Sequence, residues 1–261
     1  MWPRYLCCLA CLSLVSCSED DLQPPERIVD LSPTITADLP VRMVGHALLS
    51  GIGARDSTEF EHLEGDESLY YLDSYITLFN HAGPHADAPL HLIPQGKAID
   101  QLELASFFGP ARVLDYRSLA RTDTVSIAEI QEHNIQPGDI VILYVGYQVP
   151  TDPEELPVYP VLSAAAAEYL AELAVKAFAT DVPGVDDVPR LMDLWAQGVT
   201  GLANLLPVHH AFLSREIPVV EGLVNLDAIV GEEDVVFVGF PLKMTGKAGD
   251  AGLMRAAALI Y

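Results

Sequence analysis

The eleven residues from His81 to His91, HAGPHADAPLH, constrain this chain more than any other segment. They hold three of its eight histidines together with Asp87, and they are broken by Gly83, Pro84 and Pro89. Eight histidines spread evenly would place about 0.3 in a window of this length, so three is a clear excess. Imidazole and carboxylate side chains together suit a divalent ion such as zinc or manganese, and the run offers His81, His85, Asp87 and His91 as donors. A helix is excluded as the scaffold. Each proline removes a backbone donor and pushes its predecessor toward an extended conformation, so the donors must converge from a turn or an irregular strand end.

The rest of the chain supplies a core to carry such a site. With 261 residues, half of them apolar, it fits one domain with one substantial core. Lysine and arginine number 14 against 37 acidic residues, and the net charge of −23 argues against nucleic acid or an anionic membrane surface as a partner. ARVLDY (111–116), DIVILYVG (139–146), VKAFATD (175–181) and DVVFVGF (234–240) read as buried strands: short, rich in β-branched or aromatic residues, and bounded by turn residues. Ser126 and Glu129 make a capping-box pattern that opens the helix SIAEIQEHN, and Ser163 caps the alanine-rich SAAAAEYLAEL. Together these elements predict a mixed α/β fold.

All four cysteines, Cys7, Cys8, Cys11 and Cys17, fall in the first seventeen residues, so the folded domain is expected to use neither a disulfide nor a thiolate ligand. Arg4 followed by the apolar stretch Leu6 to Val15 reads as a targeting segment too short to span a bilayer. LVSC, ending at Cys17, is similar to a bacterial lipoprotein box, in which the cysteine is lipidated; an ordinary secretory signal is the alternative. The expected organisation is a signal segment over 1–17, a polar tether over 18–29 and a folded domain over 30–261. The mature protein is then exported and held at a membrane by acyl chains, facing the periplasm or the cell exterior.

A second donor pair lies far downstream. Pro207 suits the first turn of a helix, so PVHHAFLSRE is expected to start one with His209 and His210 near its beginning, and IPVVE reads as a strand ending at Glu221. About eight helical residues rise roughly 12 Å and four or five extended residues return roughly 13 to 16 Å, which brings Glu221 back level with the start of the helix. Adjacent helical residues point about 100° apart, so only one of the two histidines is expected to face a metal.

The run from His81 to His91 resembles the HxGTHxDxPxH signature of the metal-dependent cyclase-like hydrolases, which include bacterial kynurenine formamidases and isatin hydrolases. DLSPTI (30–35), LIPQGKAIDQL (92–102), PGDIVILYVGY (137–147), PVHHAFLSREIPVVEGLVNL from Pro207, and PLKMTG near the end are similar to that family in order and spacing. The departure is Pro84, where the family usually has threonine; a hydroxyl that orients a neighbour is lost there, while all four donors remain. The resemblance implies a single-domain cyclase-like β/β/α architecture with a mixed sheet. It implies His81, His85, Asp87, His209 and Glu221 as ligands of one or two ions, Zn2+ or Mn2+, with His209 favoured over His210, and His91 as the general acid/base.

The implied reaction is cleavage of the C–N bond of a small amide or cyclic amide, arylformamide-like or isatin-like, by metal-activated water. A non-catalytic, membrane-tethered metal or small-ligand binding protein of the same fold is the alternative. Relatives commonly form dimers, so a homo-oligomer is expected. The stretch from Asp181 to Leu206 is longer than the family usually has here and reads as either a lid or a surface excursion. His46, His62 and His133 read as surface or loop residues, and Glu103, Asp115 and Asp181 as structural acids.

Overall fold

The computed structural model describes residues 23–39, 59–65, 72–150, 152 and 155–261. In chain order the strands and helices are β1 (Arg27–Asp30), β2 (Glu59–Glu64), β3 (Leu72–Thr77), β4 (His85–Asp87), β5 (Phe108–Asp115), β6 (Thr124–Val125), α1 (Ile127–Gln131), β7 (Ile140–Tyr144), β8 (Val161–Leu162), α2 (Ala164–Glu172), β9 (Ala177–Thr180), α3 (Val188–Ala196), α4 (Leu202–Leu205), α5 (Pro207–Leu213), β10 (Val219–Glu221), β11 (Val235–Val238), β12 (Ala251–Leu253) and β13 (Ala257–Ile260). The four apolar runs read as strands lie side by side in the order β11-β5-β7-β9, inside a nine-stranded sheet ordered β1-β13-β11-β5-β7-β9-β10-β4-β12. Strands β5, β7, β9 and β10 are mutually parallel, and the flanking pairs are antiparallel. The fold is thus a single mixed α/β unit.

Parallel strands are buried on both faces, and β7 shows why its sequence is apolar throughout. Val141 and Leu143 point into a core shared with α2 and α5, while Ile140 and Ile142 point into a second core. That second core also gathers Ala86 of β4, Phe237 of β11 and Ala258 of β13, from distant parts of the sheet. A sheet whose far strands meet in one core is curled, and β4, β10 and β12 close one end of it.

The caps act as expected. Ser126 Oγ accepts from Glu129 N while Ser126 N donates to Glu129 Oε2 at 2.7 Å, and Ser163 Oγ accepts from Ala166 N at 3.1 Å. Strand β1 pairs with β13 from Arg27 onward, so Arg27, Ile28 and Val29 belong to the sheet rather than to a tether ending at residue 29. The signal segment, Cys17 and His46 lie outside the described residues. Among the described residues, no helix is long and apolar enough to cross a membrane.

Candidate metal centre

Strand β4 is three residues long, and its alternation places His85 and Asp87 on one face while Ala86 enters the core on the other. Its neighbour β10 runs antiparallel with Glu221 directly opposite His85, so these side chains share a face. Helix α5 brings the fourth group. Pro207 occupies its first turn, and Phe212, one turn on from His209, stacks on Phe178 of β9 at 4.8 Å between ring centroids. That contact anchors the helix to the sheet and leaves His209 facing the carboxylates.

The groups converge closely. His85 Nε2 is 3.4 Å from Asp87 Oδ1 and 3.4 Å from Glu221 Oε2. His209 Nε2 is 3.3 Å from Asp87 Oδ2 and 3.2 Å from Glu221 Oε1, and His81 Nδ1 is 3.0 Å from Asp87 Oδ1. His91 ends the short turn that begins at Pro89; its ring lies 4.6 Å from that of His81 and 6.0 Å from that of His209. His210, on the same helix, is half-buried; it is His209 whose Nε2 approaches Asp87 and Glu221, although His209 itself stands outside the two tightest donor groups among the described residues.

Two residues absent from the sequence reading hold this set in place. Asp186 accepts from His209 Nδ1 at 2.7 Å and from the backbone N–H groups of Val208 and His209 at 2.8 and 3.1 Å. One carboxylate therefore caps α5, whose own N-cap Leu206 has no side-chain acceptor, and turns the His209 Nε2 lone pair toward Asp87 and Glu221. Asp250 accepts from Asn80 Nδ2 at 2.8 Å and lies 3.3 Å from His81 Nε2. At Pro84 the backbone does the orienting: the preceding carbonyl, Gly83 O, accepts from His85 Nδ1 at 3.0 Å, and Pro84 O accepts from Met254 N. Gly83 supplies its carbonyl from a left-handed conformation, φ +85°.

The stretch from Asp181 to Leu206 divides. Asp181 accepts from Val145 N and Tyr147 N, Val185 N donates to Glu221 Oε1 at 2.9 Å, and Asp186 holds His209, so its first part walls the site. Helices α3 and α4 then run over the surface with Trp195 exposed. His62 is exposed beside Ser74, while His133 is half-buried against the Tyr116 hydroxyl at 3.2 Å.

Electrostatics draw positive charge into the nest. Burial alone lowers the His85 imidazole, but Asp87 and Glu221 outweigh it and raise it to about 10. His209 is likewise raised, burial opposing and Asp186, Asp87 and Glu221 prevailing. For Glu221, burial and Asp87 push upward, yet His209 and His85 bring it down to about 2. His85 Nε2 and both Asp87 carboxylate oxygens are buried without a hydrogen bond of acceptable geometry. Unpaired buried donors of this kind are costly, and a coordinated cation satisfies them together. Their atoms fall into two groups that share Asp87: His81, Asp87 and His91; and His85, Asp87 and Glu221. The residues present therefore fit a divalent metal.

A curled mixed sheet with imidazoles and carboxylates gathered at its closed end defines an α/β protein built around a candidate cation site. The chain belongs to the Cyclase family, whose model matches residues 29–187. It is 34% identical over 191 residues to the kynurenine formamidase of Salinibacter ruber, spanning 73% of this chain and 81% of that protein. It is 28% identical over 237 residues to the kynurenine formamidase of Erythrobacter litoralis, spanning 88% and 92%. An isatin hydrolase bound to the product analogue thioisatinate has the same fold, with a TM-score of 0.69 at 18% identity over 90% of this chain and 92% of that one. Isatin hydrolase A from Ralstonia solanacearum gives 0.70 at 22% identity, with the same coverage.

Proposed function

We propose that this protein is a metal-dependent hydrolase that cleaves the C–N bond of a small amide or cyclic amide. The observation that carries the reading is the convergence of buried, unpaired imidazole and carboxylate atoms beside a histidine that stays partly open to solvent. The named activities of the relatives support the substrate class: a formamidase and hydrolases of isatin.

His81, His85, Asp87, His209 and Glu221 are the residues that would hold one or two zinc or manganese ions. The chemistry such an ion supplies when bound is acidification of water and stabilisation of negative charge on a carbonyl oxygen. His91 then moves the proton: neutral imidazole takes one from water as the carbonyl carbon is attacked and returns it to the leaving nitrogen, so that amide and water give carboxylic acid and amine. A cavity of about 570 Å³ touches the metal loop only at Ala82 and Pro84 and is otherwise lined by apolar side chains such as Ile35 and Phe240 and by the Asp30–Arg255 ion pair; none of the proposed ligands, nor His91, lines it.

We also propose that Cys17 is lipidated and that the chain assembles with itself. The hairpin β2–β3, which exposes Phe60, Leu72 and Ile76 on one face, supports self-assembly.

The decisive experiment is His91→Ala on metal-loaded protein, tested against a panel of formanilides, isatin and small lactones. Turnover is expected to fall about 10²–10⁴-fold with bound metal unchanged. His91 lies within donor reach of His81 and Asp87, so loss of metal in this variant would instead make it a ligand. Stoichiometric metal with no wild-type turnover across the panel would favour a binding protein.

A further inference from the structure

Asp250 occupies a place that the motif does not contain and the proposed reaction does not yet use. It closes the turn Gly246–Asp250 just before β12, and its carbonyl accepts from Ala88 N at 2.8 Å. Ala88 lies between Asp87 and the turn that ends in His91, and the residue after Asp250, Ala251, stands opposite Asp87 in the β4–β12 pair. Gly249 permits this approach, since a Cβ there would sit 2.6 Å from the Met244 carbonyl oxygen and 2.9 Å from Ala98 Cβ. The backbone thus fixes Asp250 against the metal loop before any side-chain contact is made. Its carboxylate then meets three groups: Oδ1 accepts from Asn80 Nδ2 at 2.8 Å, while Oδ2 lies 3.3 Å from His81 Nε2 and 3.6 Å from His91 Nδ1.

We infer that Asp250 is a positioning residue for His91, an inference that rests on the hydrolase reading above. By accepting the Nδ1 proton of His91 it leaves Nε2 as the nitrogen that exchanges protons with water and the leaving group. By engaging Nε2 of His81 it leaves Nδ1, the nitrogen beside Asp87, as that ring's donor to a metal. The 3.6 Å separation is longer than a hydrogen bond, and bonds of this kind are often long until substrate closes the site. The same oxygen serves both rings, so one carboxylate sets the proton carrier and the edge of the cation site together.

The test is Asp250→Asn, read in two ways. Nitrogen-15 spectra of the metal-free protein report which His91 nitrogen carries the proton. The wild type is expected to hold it on Nδ1, and the variant to show a mixture of tautomers. At saturating zinc or manganese, kcat is expected to fall about 10- to 100-fold with KM nearly unchanged. An unchanged His91 nitrogen spectrum overturns the inference. If Asp250→Asn does not fold, Asn80→Ala carries the test, since it frees Oδ1 alone. The same spectral change at smaller size supports the role, and an unchanged spectrum overturns it. The spectra need neither substrate nor metal, so a wild type inactive on every amide would sink the hydrolase reading without deciding the position of the His91 proton.

Discussion

The inner wall of the candidate metal centre consists of His85, Asp87, His209 and Glu221, whose side chains keep 2%, 1%, 8% and 4% of their surface open. The outer wall consists of His81, His91 and Asp250, whose side chains keep 15%, 27% and 30% of their surface open. Elements of the fold hold the inner wall: Gly83 O fixes His85, Val185 N fixes Glu221, and Asp186 fixes His209. A solvent-accessible carboxylate, itself pinned by backbone, holds the outer wall. Coulomb interactions are strong where water is excluded, so the inner wall suits permanent retention of a cation. Solvent access suits His91, on the outer wall, to proton exchange, while His81 beside it still faces Asp87. The contrast teaches that a single motif, His81 to His91, feeds two environments, one closed to water and one open to it.

The largest effect expected from breaking this division comes at Asp87, the residue common to both donor groups. Asp87→Asn should abolish stoichiometric metal binding and lower turnover by about 10³-fold or more, because neither donor group remains complete. Elemental analysis with turnover on an amide checks this, and a variant that keeps its metal would dissolve the distinction between the walls.

A smaller effect is expected on the inner wall alone. Asp186→Asn should weaken metal binding about 10- to 100-fold by loosening the His209 tautomer. It should also cost about 1 kcal/mol of stability, through the weakened cap on α5. Chelator competition and thermal melts measure the two effects. Unchanged affinity would mean that packing, not Asp186, orients the ring.

A graded effect, set by conditions rather than by a substitution and about tenfold for each pH unit, sharpens the comparison. His85 is raised to about 10 from an ordinary 6.5, so a proton competes with a cation for Nε2 between these values. Metal affinity should therefore rise with pH across this window, about tenfold per unit where one proton is displaced. In metal-free protein the same proton is stabilising. That contribution is fully present below about pH 6.5 and is lost as pH rises through about 10. Chelator competition at several pH values from about 6.5 to 9 tests the direction, and a flat profile would place His85 outside the competing set.

Much of the fold was legible in local sequence because local chemistry decides it. Ser126 with Glu129 and Ser163 with Ala166 made their caps, and the apolar runs that became β5, β7, β9 and β11 were read from residues buried on both faces. The donors of the 81–91 run stood out by density alone. Asp186 and Asp250 did not, because an isolated aspartate in a loop carries no local signal of the histidine it will meet. A partial signal for Asp186 existed: the helix beginning at Pro207 lacks a side-chain acceptor at its own N-cap, so a distant one was required.

By itself, the sequence determined which atoms are available: imidazoles and a carboxylate packed between prolines, with a second histidine and a glutamate set on a helix and a strand. Those are properties of short segments, fixed by backbone geometry and side-chain chemistry. Only the tertiary structure decided which nitrogen of each ring faces inward and which groups lose water. Both depend on contacts across the curled sheet, where β4, β10, β12 and α5 meet from distant parts of the chain. Burial and proton placement are collective quantities, and no single segment carries them.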